Sequence, residues 1–227
     1  MITSPRLKTT PIVLALCSVA ACASLPGESP TSASTAGAQD NGSALDQASI
    51  EEMMAAAADF TQPGPEHEFL GMLVGDYEVT AQVTLMGPDA PRTAGHAEIR
   101  WLVEGRFIQN TWSGELMGMQ GLNIVFTGYD RLKKSFVWTG LGDFDTAMNR
   151  AEGDLTPDGS ALIMYGTLDE YLTGEHDKMV KYVQRYRGET DDDGRLTSID
   201  GITLEVHDLA MGETGTKVME FVYTRTR

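Results

Sequence analysis

The chain is 227 residues long and 41% hydrophobic, with 17 Lys and Arg against 33 Asp and Glu, a formal charge of −16. That length allows one globular domain of ordinary size plus appendages. A surface this acidic repels a phosphate backbone, which excludes nucleic acid as a partner.

The N-terminus carries Arg6 and Lys8 and then the apolar run "PIVLALCSVAA", Pro11 to Ala21. This is the pattern of a secretory signal, and the run is too short to span a bilayer. Val19-Ala20-Ala21-Cys22 resembles the lipobox of bacterial lipoproteins. The resemblance implies that residues 1–21 are removed and that Cys22 becomes the lipid attachment site. Ala21-Cys22-Ala23 also fits plain cleavage after Ala23, but a lone cysteine in an oxidising compartment would then lack a role. Several acyl chains on one residue would anchor the chain durably to a membrane. Ala23 after the cysteine implies, in a Gram-negative cell, the outer membrane on its periplasmic side. Losing Arg6 and Lys8 leaves 15 basic residues against 33 acidic, a charge of −18, and no partner for a disulfide, since Cys17 leaves with the signal.

Residues 22–44 are rich in Ser, Thr, Gly, Pro and Ala and read as a flexible tether. No Lys or Arg occurs between Thr9 and Pro91, so this stretch has nothing to hold anionic headgroups. Residues 45–62 read as a helix from their alanines and early acids. From Gly75 the period becomes two, with Val79, Ala81, Val83 and Leu85 alternating against Glu78, Thr80, Gln82 and Thr84. Further strands are expected over 93–103, 106–114, 121–129, 134–140, 147–155, 160–169, 177–187, 195–206 and 215–226. Turn sequences such as "DRLKK", "TPDG", "TGEHD" and "DDDG" separate them. About ten antiparallel strands with short connections predict an all-β, up-and-down barrel, residues 63–227, preceded by a short helix.

"PGPEH", "LVGDY", "EGRF", "GYD" (Gly128 to Asp130) and "YTR" (Tyr223 to Arg225) resemble an uncharacterised bacterial family, the domain of unknown function numbered fifteen seventy-nine. The resemblance covers residues 63 to 227. That family is similar to the calycins: lipocalins, fatty-acid-binding proteins and haem-binding nitrobindins. The resemblance implies a Gly-x-Trp start to the first strand, covered by an Arg from the last. Here Gly75-Asp76-Tyr77 puts Tyr in place of Trp, and Arg225, or failing that Arg227, is the expected partner in closing one end of the barrel. Pro63 to Leu73 is then the short helix or turn that plugs the barrel. Glu66 and Glu68 suit the first turn of a proline-started helix, and His67 has no second histidine at ligand spacing.

Other constellations have a plainer reading beside the functional one. Glu189, Asp191, Asp193, Gly194 and Asp200 nearly match a calcium loop, but strands flank them and the final bidentate Glu is missing. Asp143 and Asp145 in "GDFDT" read as a loop, with a cation at a barrel mouth as the alternative. Among the histidines, His96 is expected outside the barrel, His176 in a turn and His207 at a rim. The last strand has no histidine for haem, and no metal site or cofactor is expected. No Gly-x-Ser-x-Gly elbow or free cysteine offers a nucleophile, so no catalytic residue is singled out. Asn110, Trp112, Trp138, Tyr182, Gln184 and Tyr186 are the candidate ligand-binding residues: either they line a cavity or they fill the core. The expected function is a membrane-tethered envelope lipoprotein whose barrel binds a small, mostly apolar molecule. An enzyme acting inside the barrel and a partner-binding lipoprotein are the alternatives.

Overall fold

Runs that alternate apolar and polar residues bury their apolar face only if the sheet they form curls over it. The computed structural model describes residues 46–170, 173–209 and 215–226; the signal segment, Cys22, the tether, Leu45 and Arg227 lie outside the described residues. Ten strands follow one another: β1 Gly75–Gln82, β2 Arg92–Val103, β3 Phe107–Leu116, β4 Met119–Asp130, β5 Ser135–Gly142, β6 Asn149–Leu155, β7 Ala161–Glu170, β8 Glu175–Arg187, β9 Gly201–Asp208 and β10 Thr216–Arg225. Each pairs antiparallel with its neighbours in sequence, and β10 returns to β1 to close the barrel. In that seam Tyr77 stands opposite Arg225 and Gln82 opposite Glu220. Closure needs no strand from outside residues 75–225. The chain is therefore an all-β, up-and-down antiparallel barrel.

Two expected strands are corrected. β1 stops at Gln82, and Thr84–Met86 form a 3-10 turn, so Val83 and Leu85 do not continue the alternation. The Gln82 side chain causes the stop: its amide donates to the carbonyls of Pro88 (3.3 Å) and Ala90 (2.8 Å) and folds the turn back onto the strand. The run 195–206 becomes a strand only from Gly201. Before it, the Asp191 carboxylate accepts the Asp193 and Arg195 backbone N–H groups at 3.0 and 2.8 Å, an Asx turn that takes those donors from any ladder. His176, expected in a turn, lies in the first residues of β8.

Helices α1, Gln47–Thr61, and α2, Pro65–Leu73, precede the barrel. α1 buries none of its residues. α2 buries His67, Phe69, Leu70 and Leu73 and plugs the barrel end where β1 begins. His67 supplies the N-terminal cap: the Gly64 N–H donates to its Nδ1 at 3.0 Å, which requires that nitrogen to carry no proton. Burial holds the imidazole below its ordinary value of 6.5. A group with a depressed folded pKa stabilises above its unfolded value, and that share is lost as pH falls through the folded one. His67→Ala is expected to cost about 1–2 kcal/mol at pH 8, from the cap and the edge contact with the Tyr129 ring at 6.0 Å. Below about pH 6 the gap between parent and variant should narrow. Urea unfolding at both pH values measures it; a gap that widens in acid would contradict the cap.

Candidate functional site

Period-two geometry sends every second residue of each strand into the barrel. On β3 these are Ile108, Asn110 and Trp112; on β5, Phe136, Trp138 and Gly140; on β8, Lys178, Val180, Tyr182, Gln184 and Tyr186. The inward set divides into a solid end and an open one.

The solid end lies under α2. Phe69 packs edge-on against Phe136 (5.8 Å) and Tyr186 (5.1 Å). Tyr77 is fully buried, donates its hydroxyl to the Leu73 carbonyl at 2.7 Å and meets the Tyr223 ring at 6.0 Å. Burial pushes the Tyr77 phenol up to about 12, with the Arg225 charge opposing. The Arg225 guanidinium lies 4.9 Å from the Tyr77 ring centre. It donates to the carbonyls of Val74 and Met72 (2.6 Å each) and Ile199 (2.7 Å), tying the end of α2 and the 188–200 loop to the last strand. Gly75 is glycine because a Cβ there would collide with that guanidinium.

Above this layer the lumen is not packed solid. A cavity of about 610 Å³ runs to the opposite end, within the range of small-molecule sites. Of the six candidate residues, Asn110, Trp112, Trp138, Tyr182 and Gln184 line it. Tyr186 is inward too, but one pair deeper, where it packs on Phe69 and donates its hydroxyl to Gln184 Oε1 at 3.0 Å. Trp138 and Tyr182 meet across the lumen, with ring centres 4.3 Å apart, although β6 and β7 separate their strands. Trp112 lies against the wall at Gly95 and Gly114, where a Cβ would come within 2.8 Å of its ring.

Three buried polar atoms in this wall have no hydrogen-bond partner: Trp112 Nε1, Trp138 Nε1 and Asn110 Oδ1. Leaving such groups unpaired costs about 1–3 kcal/mol each, so a native fold keeps few of them without a use. Burial alone raises the Tyr182 phenol, which therefore stays protonated as a donor.

The open end was not foreseen. Lys178 is directed inward and is almost buried, and its ammonium donates to Glu170 (2.7 Å), Asp208 (2.8 Å) and Glu175 (3.0 Å). The hydrogen bond to Asp208 is the first cause of its raised pKa, followed by that to Glu170. A signal for this existed: Lys178 is in phase with Val180, Tyr182 and Gln184, and Asp208 with Ile202, Leu204 and Val206. In the rim loop between β5 and β6, the Asp143 carboxylate accepts the Leu122 N–H and Asp145 accepts the Ala147 N–H. Both acids thus have a loop-building role, as Asp191 does in its turn. Phe144 between them lies over Gly121, where a Cβ would strike its ring. His96 and His207 sit on the outer wall beside Asp76 and Glu205, and His176 is 86% exposed.

The arrangement can enclose an apolar molecule, offer it an amide and a phenol, and set charge at the entrance. The inward carboxylate Asp208 is bound to Lys178, not poised as a base. Residues 62–225 match a family described as a protein of unknown function, DUF1579. No curated protein matches the chain.

Proposed function

We propose that this chain, which belongs to the DUF1579 family, is a binding module that holds a small, mostly apolar molecule inside its barrel. The observation that carries the reading is the cavity of about 610 Å³ with partnerless buried polar atoms in its wall. Apolar walls supply affinity from buried area, roughly 25 cal/mol per Å², and a few fixed polar groups supply orientation. The likeness to lipocalins that the Gly75-x-Tyr77 start suggests belongs to this reading, since those barrels hold ligands in the same place. So does the envelope location: the lipobox-like Val19 to Cys22 and the tether after it fit a barrel anchored through Cys22, on the periplasmic face of the outer membrane in a Gram-negative cell.

One experiment tests both halves. Native mass spectrometry of the protein purified gently from its own cells is expected to show an adduct that persists in native spray and vanishes on denaturation. The denatured mass is expected to begin at Cys22 and to include acyl chains. A bare native mass at every preparation would count against the binding module. A denatured mass without acylation would remove the anchor and leave the cavity reading standing.

A further inference from the structure

Resting on the reading of the lumen as a binding site, we propose that the molecule it takes is a cationic amphiphile, with its apolar body in the lumen and an amine or quaternary ammonium at the open end. Among the described residues lining the cavity, the charged ones are Lys178 and four carboxylates: Asp145, Asp169, Glu170 and Asp208. Lys178 cannot receive an anion. An ammonium has three donors, and all three are committed to Asp208, Glu170 and Glu175. That cluster of one cation and three carboxylates keeps a net charge of −2.

Of the other cations at this end of the barrel, Arg150 is exposed on the outer face of β6, out of phase with the buried Ala151. Lys217 and Arg92 are on the outer wall, held by Glu220 at 2.6 and 3.2 Å. His176 stands 3.8 Å from Asp169, almost fully in solvent. An opening whose carboxylates outnumber its one cation, walled by apolar residues, focuses a negative field into the lumen. A carboxylate or phosphate headgroup would meet like charge there, whereas an ammonium would gain from it. Phe144 at the rim adds an aromatic face of the kind that attracts quaternary ammonium.

The wall beside this opening also carries an unsatisfied donor. Trp138 is more than nine-tenths buried, reaches across the lumen to Tyr182 and has an indole N–H without a partner.

The test uses the chain from residue 46 onward, which contains every strand of the closed barrel. Decyltrimethylammonium, decanol and decanoate, all below their micelle concentrations, are titrated at pH 8 and low salt. Tryptophan fluorescence and native mass spectrometry read the binding. The ammonium is expected to bind at least about tenfold more tightly than decanoate, with decanol between them. The gap should shrink in added salt. It should also shrink in Asp145→Asn/Asp169→Asn, which keeps the acceptors for the Ala147 and Asp177 N–H groups and leaves the Lys178 cluster intact. Equal binding of the three probes, or tighter binding of decanoate, overturns the cationic assignment while the lumen stands as a site. Failure of all three, decanol included, overturns the binding reading itself.

Discussion

Arg225→Met is expected to lower the stability of the barrel by about 3–5 kcal/mol. The guanidinium makes three short bonds to the carbonyls of Met72, Val74 and Ile199 and covers the Tyr77 ring. Hydrogen bonds to a charged donor contribute roughly 1.5–3 kcal/mol each, and three on one group add less than their sum. Met72 and Val74 lie at the C-terminal end of α2, where orphan carbonyls attract a cation. Methionine keeps the stem's packing but leaves those carbonyls without donors. Arg225→Lys should recover only part of the loss, because a point charge cannot reproduce a planar fork aimed at three carbonyls. Gly75→Ala should act through the same contact, by pushing the guanidinium off its carbonyls. Urea unfolding with an unchanged m-value measures all three. A loss under about 1 kcal/mol for Arg225→Met would mean that α2 and the 188–200 loop hold to the barrel without it.

Gly140→Leu is expected to do the opposite: leave the fold intact and empty the site of ligand. Gly140 is on the inner face of β5, and a Cβ there meets Val125 Cγ2 at 3.5 Å and nothing closer. A leucine side chain therefore grows into the cavity without striking backbone. Removing a glycine from a strand is worth roughly 0.5–1 kcal/mol, and buried apolar area adds to it, so stability should stay level or rise. Binding of decanol, the neutral probe, should weaken at least about tenfold, because a filled lumen takes away the area that drives association. Retained affinity in a stably folded Gly140→Leu would place the bound molecule outside the barrel.

The alternation and turn chemistry from Gly75 onward were enough to read ten antiparallel strands and closure, because each turn carries residues with a local reason to reverse the chain. Local reading failed where a side chain competed for backbone groups at a distance. Gln82 reaches the Pro88 and Ala90 carbonyls and ends β1 before Val83. Asp191 holds the Arg195 N–H, so the apolar Ile199 is buried from a loop and not from a strand. Which face was inward could not be read where both carried apolar groups, as on β10, with Val218, Met219, Phe221 and Val222 close together.

The sequence by itself determined the architecture, the acidity, a short helix or turn over Pro63 to Leu73 and the in-phase sets of aromatic residues, since each follows from periods and propensities a few residues long. Only the tertiary structure decided that these sets stop short of filling the lumen. The width of a closed barrel follows from its strand number and tilt, not from any one strand. It also decided that Lys178 meets Asp208 and Glu170, three carboxyl-bearing neighbours with Glu175 brought together from three strand ends. Charge at an opening depends on which ends share a rim, and closure alone settles that.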